Sequence, residues 1–320
     1  MRRKKCLALC LALVLALVFS GCGIGGQGGQ DSDSSQGYEA EPDPEFPVIV
    51  GGVVIDFRPS RVVSLAPSLT EKIYDLGHGT RLVGISDHHG DYPASIAHLP
   101  SYGIATMPYI EGILSLRPHV VFSVSELPAD AMAELEDANI PLVILPSYAH
   151  NMHQLEEIYM GIAVVLDGRT TGRMVGERFM RDFNDRIDQI ALRFSGQAPR
   201  NAVYLRHLDF TMATGDTLEG ELMERIGFVN IAAGQSDWVF DPEEAAAAEG
   251  QELFQSIEVM FFDENYVSGQ ALEQSAFWRN VSAVSDGLHI NINSHVFERQ
   301  SLRMIGQLEI MADALRVIND

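Results

Sequence analysis

Cysteine is nearly missing from this 320-residue chain: its three copies, Cys6, Cys10 and Cys22, all fall in the first 22 positions. A folded part that begins after them has no thiol, which excludes disulfides, cysteine–zinc sites and cysteine nucleophiles. Basic residues are scarce too, with 22 Lys and Arg against 44 Asp and Glu. So acidic a surface repels nucleic acid and anionic lipid headgroups. Catalytic signatures are also lacking: the chain contains no G-x-S-x-G elbow, no H-E-x-x-H helix and no P-loop. The apolar run 7–19 is too short for an ordinary spanning helix, which needs ~20 such residues.

What is present begins with that run. Arg2, Arg3, Lys4 and Lys5 precede it, and Ser20, Gly21 and Cys22 follow. This is the plan of a secretory leader. Small residues directly before Cys22 resemble a bacterial lipobox, with Phe19 where leucine is usual. The expectation is a signal peptide over 1–22, a lipid on Cys22, and a protein held on the extracytoplasmic face of the cell membrane. Cleavage there leaves 18 basic residues against 44 acidic ones.

Residues 23–47 are rich in Gly, Ser, Asp, Glu and Pro, the composition of a disordered tether. From Val48 the pattern is alternating α/β. VIVGGVVIDF reads as a hairpin around Gly51 and Gly52, and RVVSLA as a buried strand. Ser68 is the expected N-cap of the next helix, with Glu71 three residues on and Gly77 as its stop. Strand RLVGIS, loop DHHGDYP, helix IEGILSL, strand HVVFSV, helix ADAMAELEDA and strand PLVILP follow. Beyond Gly168, Val175, Phe179, Phe183, Ile187, Ile190 and Phe194 form one apolar helical stripe. NAVYLRH with LEGELMERIG, then QELFQSIEVMFFDE, repeat the order of the first half. The fold class is therefore α/β: two Rossmann-like lobes, 48–168 and 197–320, joined by a single long α-helix over 169–196. A ligand cleft is expected between them, at the carboxyl ends of the strands.

RVVSLAPSLTEKIYDLG, RLVGISDHHGDYP and IEGILSLRPHVVFS, in that order, resemble the N-lobe of the helical-backbone substrate-binding proteins of cobalamin, haem and ferric-siderophore ABC importers. FERQSLRMIGQLEIMADAL is similar to the last helix of the cobalamin-binding member. The resemblance covers residues 48–318. It implies a monomeric, non-enzymatic carrier without a resident cofactor, which takes a metal chelate (corrinoid, ferric siderophore or haem) to a permease and its ATPase. In the family one exposed glutamate on each lobe docks into arginine pockets of the permease. Glu111, seven residues before Pro118, matches in the N-lobe; Glu249 is the C-lobe choice, with Glu252 its rival. Ligand contacts transfer to His89, with His88 beside it, and to His295, Val296, Phe297, Glu298 and Arg299. Cobalamin binders carry tyrosine where His89 stands, and aspartate and tryptophan at 295 and 296.

The residues speak independently of the family as well. His88, His89, His207 and His295 fall on loops where a neutral imidazole could cap a chelated metal, His89 and His295 above all. Arg206 and Arg299 suit anionic ligand groups. Tyr92, Met107, Tyr109 and Phe210 could offer flat apolar contact. Trp238 and Trp278 receive no role. Competing readings are a lipid-anchored metallohydrolase using His88, His89 and Asp91, a surface sensor or adhesin of the same fold, and a carrier of free zinc or manganese.

Overall fold

The computed structural model describes residues 43–86, 92–193 and 195–317. The hairpin pairs Val48–Val50 antiparallel to Val53–Ile55. Gly51 and Gly52 turn it at φ of 58° and 81°, the left-handed conformation a tight hairpin turn requires at both central positions. Val48 and Ile55 are opposite each other and buried, which holds the register.

Four parallel strands form the first sheet, in the order Leu82–Gly84, Val62–Ser64, Val120–Ser123, Leu142–Ile144. Val62, Val63, Val120, Val121 and Phe122 are fully buried, as an uninterrupted apolar run in a parallel strand demands. The second sheet runs Phe228–Asn230, Arg200–His207, Val259–Phe262, His289–Asn291, also parallel, with Thr211–Met212 antiparallel beside the end of Arg200–His207. Taking parallel strands in chain order, both sheets read second, first, third, fourth. The repetition of plan legible in the sequence is thus a repetition of topology.

Ser68 is not the N-cap of its helix. The helix is Pro67–Ile73 with Ala66 at the cap position and no side-chain cap. Proline at the first position supplies a pre-set φ and has no N–H to satisfy, so the cap position moves two residues toward the N-terminus and Ser68 falls inside. Gly77, at φ 88°, breaks the following turn Tyr74–His78.

Helix Met152–Asp167, capped by Asn151 on the Gln154 N–H, ends at Gly168, and the linking helix Arg169–Arg193 follows. Its 25 residues span roughly 37 Å. Its N-terminus is closed by Glu45, whose carboxylate accepts the Thr170 N–H at 2.6 Å, the Thr171 N–H at 3.3 Å and the Thr171 hydroxyl at 3.0 Å. The tether read over 23–47 therefore does not extend through residues 43–47. Phe46 is buried and Arg58 pairs with Asp43 at 3.2 Å.

The link is buttressed, not solitary. It packs along Met152–Asp167 and against the C-terminal helix Met304–Val317. Phe183, Ile187 and Ile190 of the expected stripe are buried; Phe194 lies outside the described residues. One apolar cluster runs from Val62 and Phe122 through Tyr159 and Phe183 to Tyr204 and Phe261. Both lobes share this inner core, while separate clusters fill the far side of each sheet.

Candidate functional site

Loops leaving the carboxyl ends of both sheets meet around a cavity of about 440 Å³. This is where open α/β sheets bind ligands, because strand order reverses there and the outgoing loops diverge. The N-terminal sheet contributes Pro67, Ser68, Ser147 and Tyr148; the C-terminal sheet contributes Arg206, Trp238, Tyr266, His295, Glu298 and Arg299. Glu219, Ser294 and Gln300 line it as well.

Arg206, at the end of its strand, lies with Nη2 2.9 Å from Glu298 Oε2. Its guanidinium also sits 5.2 Å from the centre of the Trp238 ring, a cation–π contact that orients both. Trp238 is held there by an uncommon backbone. Asp237 and Trp238 adopt φ of 57° and 63°, a conformation non-glycine residues take at a cost of about 1–3 kcal/mol. Asp216 accepts the Asp237 N–H and Thr214 Oγ1 the Trp238 N–H, pinning the turn.

Residues 299–303 form a seam between the lobes. Arg299 Nη1 is 2.5 Å from Glu71 Oε1, Arg303 Nη1 is 3.0 Å from the same oxygen, and the Ser301 hydroxyl donates to Glu71 Oε2 at 2.5 Å. Lys72 Nζ donates to the Arg299 carbonyl at 2.6 Å, and the Leu302 N–H to Asp75 at 2.7 Å. Gln300 donates to the Ala149 carbonyl and to Glu219 Oε1, at 2.9 and 3.0 Å. Burial pushes the Asp75 carboxyl up to about 6 against the hydrogen bonds from Leu302 and Tyr159 that pull it down. It drives Glu219 up to about 7, opposed by Gln300. Burial also lowers Lys72 to about 8 despite Asp75, Glu71 and Glu219 around it. Glu298 is raised by burial against the Tyr204 hydrogen bond and the Arg206 charge.

Of the residues expected from sequence, Arg206, His295, Glu298 and Arg299 line the cavity. His207 is at its margin, edge-on to Tyr266 at 5.7 Å. Phe297 is fully buried against Tyr204, so it is a core residue and not part of the wall. Tyr92 is buried, its hydroxyl 2.6 Å from Ser86 Oγ and its ring 5.5 Å from the Arg299 guanidinium; it supports a wall residue from behind. Met107 and Tyr109 are exposed just before helix Ile110–Ser115 and are not among the residues that line the cavity. Phe210 packs among Phe254, Phe277 and Trp278. Cys22, His88, His89 and Asp91 lie outside the described residues. Among the described residues, no three His, Cys, Asp or Glu side chains group as metal ligands.

Sequence reasoning missed Tyr148, Glu219, Trp238 and Tyr266. Tyr148 and Tyr266 each follow a strand end by four residues, a position the loop rule already favours.

Glu111 and Glu249 are both exposed, and each is the second residue of its helix, Ile110–Ser115 and Ala248–Gln255. Both helices precede the third parallel strand of their sheet. The two carboxylates therefore occupy corresponding places in the repeated topology, which Glu252 does not.

The model of the periplasmic binding protein family matches residues 62–294. The chain belongs to that family. This periplasmic binding protein is 25% identical over 299 residues to the uncharacterised ABC transporter substrate-binding lipoprotein YvrC of Bacillus subtilis, covering 90% of this chain and 91% of that one. It is also 25% identical over 268 residues to the vitamin B12-binding protein of Vibrio cholerae, covering 82% and 91%. Its fold is that of the periplasmic heme-binding protein RhuT of Roseiflexus sp. RS-1, with a TM-score of 0.62, 22% identity, and coverage of 82% and 99%.

Proposed function

We propose that the protein is the extracytoplasmic substrate-binding lipoprotein of an ABC importer, which captures a metal-chelate nutrient of corrinoid, haem or ferric-siderophore type and delivers it to a permease and ATPase. One observation carries this reading: the cavity at the meeting of both sheets is walled by the rings of Tyr148, Trp238, Tyr266 and His295. Flat rings with a few convergent polar groups suit a flat, polar-edged chelate, and the shared core suits a carrier that opens little. The names of the B12- and heme-binding relatives agree with this cargo.

In this reading the lipid on Cys22 anchors the monomer, residues 23–42 hold it off the membrane, and Glu111 and Glu249 dock the permease. Tyr92, His207 and Arg299 support the ligand wall, and His295, with His88 and His89, reaches the chelated metal. Among the described residues no helix is long and apolar enough to cross a membrane. Titrating the purified protein with cyanocobalamin, haemin and ferric siderophores, while recording visible spectra and Trp emission, tests the proposal. Saturable change with one of them is expected, and silence toward all three sinks it.

A further inference from the structure

Every arginine lining the described part of the cleft already faces a carboxylate of the protein. Arg206 is paired with Glu298 at 2.9 Å and Arg299 with Glu71 at 2.5 Å. Lys72, the one lysine after Lys5, is fully buried behind the wall and donates to the Arg299 carbonyl. Arg303 shares Glu71 with Arg299. The other carboxyl and imidazole groups on the described wall are Glu219 and His295. Glu219 is 2% exposed and accepts from Gln300, and burial there favours its neutral form.

A ligand carboxylate entering this cavity would have to share Arg206 with Glu298 and Arg299 with Glu71. It would also lie against the Glu298 carboxylate, and like charges repel strongly where water is excluded. The surplus of acidic residues over the whole chain adds to that field. What the wall does offer is mixed hydrogen bonding: guanidinium donors on Arg206, a carboxylate acceptor on Glu298, and hydroxyls on Ser68, Tyr148 and Tyr266 that both donate and accept. A carboxamide matches such a wall, since it donates, accepts and carries no charge.

We infer that the cleft selects a metal chelate whose periphery bears neutral carboxamides over one that bears free carboxylates. The inference rests on the importer reading above and narrows its cargo by charge.

Three probes separate charge from shape: cyanocobalamin, the same corrinoid with its peripheral carboxamides hydrolysed to carboxylates, and haemin, which carries two carboxylates. The purified full-length protein should bind cyanocobalamin at least about tenfold more tightly than the hydrolysed corrinoid at neutral pH. Its Kd for cyanocobalamin should change less than about twofold between low and high salt. Glu298→Gln should narrow the gap between the two corrinoids by relieving the repulsion, with far-UV circular dichroism checking that the variant is folded. The wild-type comparison stands without that variant. Equal or tighter binding of the hydrolysed corrinoid, or binding of haemin without cyanocobalamin, overturns the inference and leaves the importer reading intact. No response to corrinoids, haemin or ferric siderophores overturns both.

Discussion

The N-terminal sheet sends Pro67, Ser68, Ser147 and Tyr148 to the cleft, whereas the C-terminal sheet sends Arg206, Trp238, Tyr266, His295, Glu298 and Arg299. Both sheets have the same order of parallel strands, so topology accounts for where the loops converge and not for what they carry. The described part of the N-lobe acts mainly from behind the wall. Glu71, Lys72 and Asp75 on its first helical segment grip residues 299–303 and so hold Arg299 of the other lobe in place.

The sharpest way to break this arrangement is Glu71→Ala. The substitution leaves Arg299 buried without its carboxylate, beside Lys72 and Arg303. Removing one partner of a buried pair costs ~3–5 kcal/mol, and urea unfolding should show a loss of that size. Ser301→Ala, which removes one neutral donor from the same carboxylate, should cost about 1 kcal/mol.

Glu219 tests the same seam by pH. Its folded-state carboxyl is raised from 4.5 to about 7 by burial, so folding favours the protonated form. Its contribution is fully present below the unfolded value and is lost as pH rises through the folded one. Stability should therefore fall between about pH 4.5 and 7 by ~2–3 kcal/mol from this group. Asp75, raised from 3.8 to about 6, acts in the same direction at lower pH. In Glu219→Gln the neutral amide replaces the titrating group, and chemical denaturation across that range should give a flatter profile.

The wall itself separates the lobes more gently. Trp238→Ala removes a ring and the partner of Arg206, and should weaken chelate binding about tenfold, or ~1–2 kcal/mol. Ser68→Ala on the opposite wall should change affinity by less than about threefold. Spectral titration of both variants reads the contrast directly, and equal losses would refute it.

These residues differ in how far the chain announces them. Strands such as RVVSLA and HVVFSV are legible because apolar runs between turn signals permit little else than a buried parallel strand. Arg206 and His295 are legible because they follow such strands or the loops after them. Trp238 is not, since its place depends on two successive left-handed residues and on Asp216 and Thr214 across the loop. Glu219 resembles a surface charge in LEGELMERIG, and its burial comes from residues 81 positions away, through Gln300. Phe297 matched a family contact by position, yet tertiary packing against Tyr204 turned it inward.

The smallest effect on the molecule should come from the two carboxylates that the repeat places in register. Glu111 and Glu249 are exposed second residues of helices that each lead into a third strand. Neither belongs to the seam or the cavity lining. Alanine at either position should leave stability within ~0.5 kcal/mol and chelate affinity unchanged, because surface charges away from the wall act mainly on encounter and orientation. If these groups dock the permease, uptake by cells should fall in Glu111→Ala and in Glu249→Ala but not in Glu252→Ala. Normal uptake in the first two variants would show that corresponding position in the two lobes does not mean corresponding contact with the transporter.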